Sequence, residues 1–123
     1  MITGIGVDIV QICRMRRWRE QPGLLRRYFH PEEIEAVLLR GAGADQSLAG
    51  RFAAKEAFGK ALGGFEGIVL KDIMVVNRRN GRPGLSVVNT AADALRKNGA
   101  DRVHLSLSHE RDYAVAMVVL EVL

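Results

Sequence analysis

Three charged side chains in this sequence have the types and the spacing that phosphate chemistry requires. Glu56 and Lys60 are four residues apart in a segment of helical periodicity, so both lie on one face of the predicted helix. Asp8 is the only charge in the apolar run from Ile2 to Val10, where an unpaired carboxylate is costly. Two carboxylates commonly hold a Mg²⁺ ion that also binds substrate phosphates, and a neighbouring lysine neutralises the same phosphates. The set indicates phosphoryl-group transfer or pyrophosphate cleavage.

These features also have ordinary structural interpretations. A glutamate and a lysine four residues apart usually form a solvated ion pair on a surface helix, and Asp8 could cap a following helix. Two observations favour the functional interpretation. The residues around Glu56 are rich in alanine and glycine, including Gly59, and Gly4 and Gly6 share the predicted face of Asp8. Small residues on these faces indicate close approach by another backbone or by a ligand.

Other kinds of catalytic site have little support in the sequence. A single cysteine and histidines at positions 30, 104 and 109 lack the spacing of a zinc site. Ser108 and His109 are neighbours on a predicted strand, so their side chains point to opposite faces and cannot form a nucleophile–base pair. The sequence contains neither a P-loop nor a complete GxGxxG motif.

Length and composition predict one domain, spanning 1–123, with an aliphatic core. The hydrophobic fraction is 48%, but the aromatic fraction is only 6%. Cys13 stands alone, which fits the reducing cytoplasm, and we expect neither a signal peptide nor a membrane-spanning segment. The net charge of +4 and a pI near 9.7 favour an anionic partner.

The chain is organised around a predicted helix over residues 51–64. Ser47 is its expected N-cap, and Gly63 with Gly64 is expected to end it. Helical spacing places one apolar arc toward the core and one polar arc outward. The apolar arc contains Ala54, Ala57, Phe58, Ala61 and Leu62, and the polar arc contains Lys55, Glu56, Gly59 and Lys60.

The remaining patterns predict an α+β fold in the order β-α-α-α-β-β-α-β-β, with a mixed sheet packed on the central helix. Pro22-Gly23 is expected to break the first helix, and Pro31 to begin the second. Asn80-Gly81 predicts a two-residue hairpin turn between strands at 68–76 and 85–88. A short helix ending at Asn98-Gly99 and a terminal hairpin complete the order.

The segment Cys13–Arg27 is strongly basic. It contains six arginines and one acid, which gives a local net charge of +5. Arginine this dense repels itself, so a docking surface for an acidic macromolecule is favoured over a merely solvated helix face. The residues expected to form this surface are Arg14, Arg17, Trp18, Arg26 and Arg27.

Four segments together carry a resemblance to a known family. They are GIGVDIV (4–10), AGRFAAKEAFGKALG (49–63), NGRP (80–83) and LSLSHERDYAVAMVV (105–119). Their spacing and order along the whole chain resemble the small bacterial class of 4′-phosphopantetheinyl transferases, the holo-[acyl-carrier-protein] synthases. The resemblance implies a cytoplasmic enzyme of fatty acid biosynthesis that is active as a trimer, with each site between two protomers.

The resemblance also implies a reaction and roles for individual residues. The 4′-phosphopantetheine arm of coenzyme A would pass to a serine of an acyl carrier protein, releasing adenosine 3′,5′-bisphosphate. Asp8 and Glu56 would bind Mg²⁺, and Lys60 would contact the pyrophosphate. The positions matching coenzyme A-binding residues of the family are Arg51, Lys60, Gly81, Arg82, Pro83, Ser108 and His109. The basic segment would dock the acidic carrier protein.

The sequence departs from the family pattern at two positions and leaves one role open. Val10 stands where the larger transferase class has a second acid, so water should complete the metal shell. His30 precedes the Pro31 helix where the family has a better N-cap, threonine or serine. The general base could be Glu33, Glu56 or a water on the metal.

Two other functions compete with this hypothesis. A basic nucleic-acid-binding domain would explain the arginines, but only Trp18, Tyr28 and Phe29 lie near them for base stacking, and the acids would have no role. A structural trimer with a degenerate site is the second alternative. The intact Asp8, Glu56 and Lys60 argue against it.

Overall fold

The structure, a computed structural model that describes residues 1–123, contains five strands, five α-helices and two short 3₁₀ turns. The strands are β1 (Ile2–Gln11), β2 (Ile73–Asn77), β3 (Pro83–Val87), β4 (Arg102–His109) and β5 (Tyr113–Glu121). The helices are α1 (Arg14–Arg19), α2 (Pro22–Tyr28), α3 (Pro31–Leu38), α4 (Ala44–Leu62) and α5 (Asn89–Asn98). The predicted α+β class is confirmed. None of the helices combines the length and the apolar character that crossing a bilayer requires.

The strands form two antiparallel sheets, so the predicted mixed sheet is wrong. One sheet has the order β1-β5-β4, and the other pairs β2 with β3. β4 and β5 form the terminal hairpin, and β5 lies in the centre of the first sheet. β1 pairs antiparallel with the edge of β5 that faces away from β4. Because both sheets are built from antiparallel neighbours, no strand pair needs the long crossover that a parallel pair requires.

β1 and α4 cross at unusually short range, and two glycines of β1 make this possible. A Cβ atom on Gly4 would lie 2.0 Å from the carbonyl oxygen of Ala61, and one on Gly6 would lie 2.0 Å from that of Ala57. Any side chain at these positions would force the strand away from the helix. The close approach predicted from the glycines is therefore that of the α4 backbone.

α4 is enclosed on more sides than its sequence pattern predicts. Lys55 and Gly59 were placed on an outward arc, yet both are buried, and the Phe65 ring occupies the space beside Gly59. The helix also begins earlier than expected, with Gly43 as the N-cap, so Ser47 lies in its first turns. Its C-terminal end at Gly63, in the left-handed conformation, agrees with the prediction.

The region between β1 and α4 contains one more helix than predicted. Pro22 was expected to break a helix, but it occupies the first turn of α2, where its missing N–H costs nothing. His30 caps α3 better than expected. Its Nδ1 accepts from the Glu32 N–H at 3.1 Å, and Glu33 Oε1 accepts from the His30 N–H at 3.1 Å, which completes a capping box.

The β2–β3 hairpin turns through three residues rather than two. The Arg78 N–H donates to the Arg82 carbonyl, the Gly81 N–H donates to the Arg78 carbonyl, and Gly81 has a φ of 81°. This pattern, a tight turn closed by a left-handed glycine, is the common three-residue hairpin loop. Asn80 Oδ1 accepts from the Arg82 N–H at 3.0 Å and further fixes the loop.

A buried carboxylate joins α3, α4 and β2. Glu33 is 2% exposed, and its Oε1 accepts from Lys55 Nζ at 2.7 Å. Its Oε2 accepts from the Val75 N–H at 3.1 Å and lies 3.6 Å from Arg51 Nη1. Lys55 also donates to the carbonyls of Leu70 and Ile73. Burial lowers the pKa of Lys55 and of Arg51, and the charge of Glu33 opposes that shift in both.

Glu33→Gln should destabilise the protein more than Lys55→Met does. The first change leaves two buried cations without a counterion, which costs about 3–5 kcal/mol of unfolding free energy. The second leaves Glu33 paired with Arg51 and replaces a desolvated ammonium by an apolar group, so about 1–2 kcal/mol is expected. Urea unfolding measures both, with Glu35→Gln on the exposed side of α3 as control. Equal losses in the two variants would contradict the charge argument.

Candidate functional site

Asp8 and Lys60 meet where β1 crosses α4. Asp8 lies on the β1 face that is turned toward α4, opposite Ala116 in the β1–β5 register. Lys60 Nζ donates to Asp8 Oδ1 at 2.9 Å and to the Val7 carbonyl at 3.1 Å. The Lys60 side chain is 53% exposed and that of Asp8 is 15% exposed. The pair therefore sits at an open edge, which solvent or a ligand can reach.

Glu56 completes this charged group one turn before Lys60. Burial and the nearby negative charge of Asp8 raise the pKa of Glu56, whereas the charges of Lys60 and Arg14 lower it. The structure thus brings together the three residues that the sequence predicts for phosphate chemistry. It also places Arg14 of α1 close enough to act on the same carboxylate.

The two acids fit a hard divalent cation that takes most of its ligands from elsewhere. No group of three histidine, cysteine or acidic side chains lies together in the structure, and Val10 is buried in the core. Mg²⁺ is commonly held by one or two carboxylates, with water and substrate phosphates filling the remaining positions. Repulsion between Asp8 and Glu56 is a further reason why a cation would be favoured there.

A cavity of about 550 Å³ opens between α4, the β2–β3 hairpin and β4. It brings together four of the predicted coenzyme A-binding positions, namely Arg51, Pro83, Ser108 and His109. Arg40 and Gln46 also line it, and Gln46 Nε2 lies 2.6 Å from His109 Nδ1. Sequence reasoning missed these two residues, because they lie in a loop and a helix start with no recognisable motif.

The other two predicted hairpin positions, and Lys60, do not line this cavity. Gly81 and Arg82 lie in the exposed loop just before Pro83. Lys60 lies beside Asp8. Asp8, Glu56 and Lys60 form what we call the acid group, and none of the three belongs to the cavity wall. Within one chain, the acid group and the cavity are therefore separate features.

The predicted docking residues form an exposed basic surface on α1 and α2. The four arginines, Arg14, Arg17, Arg26 and Arg27, are all exposed. Trp18 is half-buried, since its ring packs against Tyr28 at 5.4 Å and Phe52 at 4.8 Å between centroids. Met15, three residues before Trp18, is fully buried. The surface thus consists mainly of arginine side chains around the edge of one tryptophan.

The face of the β1-β5-β4 sheet that points away from α4 is apolar and uncovered. Ile5, Val7 and Ile9 of β1 are 57%, 54% and 61% exposed, and Met117 of β5 is 45% exposed. The register places Ile5 opposite Val119 and Val7 opposite Met117 on this face. β1 is therefore buried, within one chain, only on the face toward α4.

The structure disfavours one of the three general-base candidates. The Glu33 carboxylate is enclosed by Lys55, Arg51 and the N–H groups of His30 and Val75. It is 2% exposed and belongs neither to the acid group nor to the wall of the 550 Å³ cavity, so it is poorly placed to take a proton from a substrate bound there. Glu56 and a water near the two acids remain as candidates.

Comparison with known proteins gives a consistent result over nearly the whole chain. Residues 4–118 match the model of the 4′-phosphopantetheinyl transferase superfamily. A holo-[acyl-carrier-protein] synthase of Treponema denticola is 52% identical over 122 residues, which are 98% of this chain and 99% of that protein.

Solved structures show the same similarity. The holo-[acyl-carrier-protein] synthase of Neisseria meningitidis has a TM-score of 0.88 at 35% identity, covering 98% of this chain and 99% of that one. The enzyme of Bacillus anthracis, solved in complex with CoA (3′,5′-ADP), has a TM-score of 0.80 at 35% identity, covering 98% and 96%.

Glu56→Gln should change how the stability of the protein depends on pH. The pKa of Glu56 is higher in the folded chain than in the unfolded one, so over that interval the folded state binds more protons and stability falls as pH rises. The variant lacks this slope. It should match the wild type below the usual carboxyl range and exceed it at neutral pH, without added divalent cations. Urea unfolding at a series of pH values tests this, with exposed Glu66→Gln as control; superimposable profiles for Glu56→Gln and wild type would contradict it.

Proposed function

We propose a function from one premise: the chain belongs to the 4′-phosphopantetheinyl transferase superfamily and, within it, to the holo-[acyl-carrier-protein] synthases, which are enzymes. The proposed reaction transfers the 4′-phosphopantetheine group from coenzyme A to a serine of apo-acyl carrier protein and releases adenosine 3′,5′-bisphosphate. The observation that carries it is the meeting of Asp8, Glu56 and Lys60 at one open edge.

Asp8 and Glu56 are the residues proposed to hold Mg²⁺. Both present carboxylate oxygens at the same edge, where burial and the charge of Asp8 raise the pKa of Glu56, and a cation would relieve the repulsion between the two acids. When bound, the ion supplies charge neutralisation for the pyrophosphate and its leaving group. The chain provides the two fixed ligands, and the substrate and water provide the others.

Lys60 is proposed to bind the pyrophosphate of coenzyme A. Its ammonium has three N–H donors, and two of them are used by Asp8 and by the Val7 carbonyl. The third is left for a phosphate oxygen.

In the proposed transfer, the attacking serine oxygen forms a bond to the phosphorus that carries the pantetheine arm. The bond from that phosphorus to the adenosine bisphosphate oxygen breaks. Glu56, or a water beside it, takes the serine proton.

The cavity lined by Arg51, Pro83, Ser108 and His109 is proposed to bind the nucleotide part of coenzyme A. Its volume of about 550 Å³ lies within the usual range for small-molecule sites. Arg40 and Arg51 supply positive charge for the nucleotide phosphates. The Bacillus anthracis relative was solved with CoA (3′,5′-ADP), which supports a nucleotide site in this fold.

We further propose a homotrimer, because the acid group and the cavity of one chain are separate. If a second copy covers the apolar sheet face, Ile5, Val7 and Met117 leave water. The projecting hairpin tip, with Gly81 and Arg82, would then reach coenzyme A held by the neighbour. The enzyme would act in the cytoplasm, in fatty acid biosynthesis.

The direct test incubates the protein with coenzyme A, Mg²⁺ and an apo-acyl carrier protein, and follows the mass of the carrier. Addition of the phosphopantetheine mass to the carrier serine is expected. The competing nucleic-acid hypothesis predicts no mass change, and predicts that oligonucleotides, rather than Mg²⁺ with coenzyme A, raise the melting temperature.

Asp8→Ala and Glu56→Ala should each reduce transfer by at least about a hundredfold, because each removes charge stabilisation at the pyrophosphate. Both variants should remain folded, since neither side chain belongs to the hydrophobic core. The rate of mass addition and the circular dichroism melting curve are the measurements, with exposed Asp101→Ala as control. Near-normal turnover in either variant would show that the metal site is misassigned.

Reversing charges on the basic surface should weaken carrier binding without affecting coenzyme A. Arg17→Glu with Arg27→Glu avoids Arg14, whose charge acts on Glu56. The KM for the carrier protein should rise about tenfold and become less dependent on salt, while the KM for coenzyme A stays the same. The control reverses two exposed cations of α5, Arg96 and Lys97. An unchanged KM for the carrier would place docking elsewhere.

A shared site should allow two inactive variants to complement each other. Glu56→Ala subunits lack one carboxylate of the acid group, and Arg82→Ala/Pro83→Ala subunits lack the arginine of the hairpin tip and the proline that follows it in the cavity wall. Mixing them through partial unfolding and refolding should restore measurable transfer, since some interfaces then contain both intact halves. Sedimentation should show one species near three times 13.6 kDa. A fully active monomer, or mixtures without activity, would contradict the shared site.

A further inference from the structure

Glu33 is a buried carboxylate to which the proposed reaction assigns no role, although a residue that it contacts belongs to the cavity wall. It is 2% exposed and lies 3.6 Å from Arg51 Nη1, and Arg51 lines the cavity. Lys55, its second ionic partner, is fully buried and lines no part of that cavity. Glu33 therefore connects the protein interior to the proposed nucleotide site through one guanidinium.

The Glu33–Arg51 pair also holds the peptide groups on either side of Val75. The Val75 N–H donates to Glu33 Oε2 at 3.1 Å, and the Val75 carbonyl accepts from Arg51 Nη1 at 2.8 Å. Val75 is the central residue of β2, the strand that leads into the Arg78–Arg82 loop. These bonds fasten the hairpin to α3 and α4, so they set the direction in which its tip projects.

The guanidinium of Arg51, a residue of the cavity wall, keeps unused donors. Its Nε donates to Ser47 Oγ at 3.3 Å and its Nη1 to the Val75 carbonyl, while Nη2 donates to no protein atom. Two buried cations, Lys55 and Arg51, share the single negative charge of Glu33. Asp72 also acts on Lys55, whereas Glu33 is the only acid that acts on Arg51, so Arg51 supplies positive charge at the wall of a cavity proposed to hold phosphates.

We propose that Glu33 is a positioning residue for nucleotide binding, which fixes both the Arg51 guanidinium and the β2–β3 hairpin for the ligand. This inference rests on the proposed function, because that function assigns the nucleotide to the cavity. Glu33 itself does not touch the ligand. Its effect on binding passes through Arg51 and through Val75.

The experiment must separate this role from the stability that Glu33 provides. Lys55→Met is the background, because it removes one of the two cations and leaves the Glu33–Arg51 contact in place. Glu33→Gln/Lys55→Met then removes the carboxylate while leaving a single buried cation, which limits the loss of stability. Circular dichroism establishes that each variant is folded at the assay temperature.

Binding of coenzyme A and of adenosine 3′,5′-bisphosphate is measured by titration calorimetry, and KM and kcat by mass addition to the carrier. Lys55→Met should keep both Kd values within about twofold of the wild type. Glu33→Gln/Lys55→Met should raise both about tenfold, equivalent to one hydrogen bond to a charged group. The KM for coenzyme A should rise in parallel, with kcat changed less than about twofold, because the acid group is intact.

A cycle with Arg51→Met tests whether the effect passes through the guanidinium. Arg51→Met should itself weaken binding, and adding Glu33→Gln to it should weaken binding much less than Glu33→Gln does when Arg51 is present. Glu33→Asp, which keeps the charge and shortens the reach, serves if the glutamine variants do not fold, and should give an intermediate Kd.

Three results would overturn the inference: an unchanged Kd without the carboxylate, full additivity with Arg51→Met, or a wild-type Kd in Glu33→Asp. A wild-type protein that binds neither coenzyme A nor adenosine 3′,5′-bisphosphate would instead contradict the proposed function. The two failures are therefore distinguishable in the same titrations.

Discussion

The packing of α3, α4 and β2 depends on the contacts of one buried carboxylate, that of Glu33. An isolated charge in the core costs several kcal/mol, so it persists only because Lys55, Arg51 and two backbone N–H groups surround it. These four donors come from three parts of the chain: the start of α3, the middle of α4 and β2. Satisfying one buried group therefore fixes three elements together, and with them the hairpin that projects beyond the core.

A steric constraint fixes the position of the β1-β5-β4 sheet on α4. With glycine at positions 4 and 6, the backbone of β1 lies against the carbonyls of α4, at a separation that no side chain would permit. This short crossing brings Asp8 of the strand within 2.9 Å of Lys60 on the helix. The geometry of the charged group thus depends on two residues that carry no functional side chain.

The separation of the candidate functional features along the chain favours an assembly of several copies. The acid group, the 550 Å³ cavity and the basic surface occupy different parts of one small fold, and the outer face of its main sheet is apolar and open. Apolar patches of this kind commonly mark interfaces between proteins. Packing of copies on that face would bury the apolar side chains and allow the hairpin of one copy to approach the acids of another.

The sequence by itself determined the class of fold, most element positions and the three charged residues, because hydrophobic period, glycine and proline signals and i, i+4 spacing are local properties. It could not determine sheet pairing, which depends on contacts between distant strands, so the mixed sheet was wrong. Nor could it reveal that Lys55 is buried, since helical spacing shows only that Lys55 and Glu56 share an arc. The partner of Lys55, Glu33, lies 22 residues away, and no local pattern links the two residues. Arg40 and Gln46 joined the cavity only through tertiary contacts. Local patterns identify residues whose types suit the chemistry, whereas long-range packing decides which of them meet.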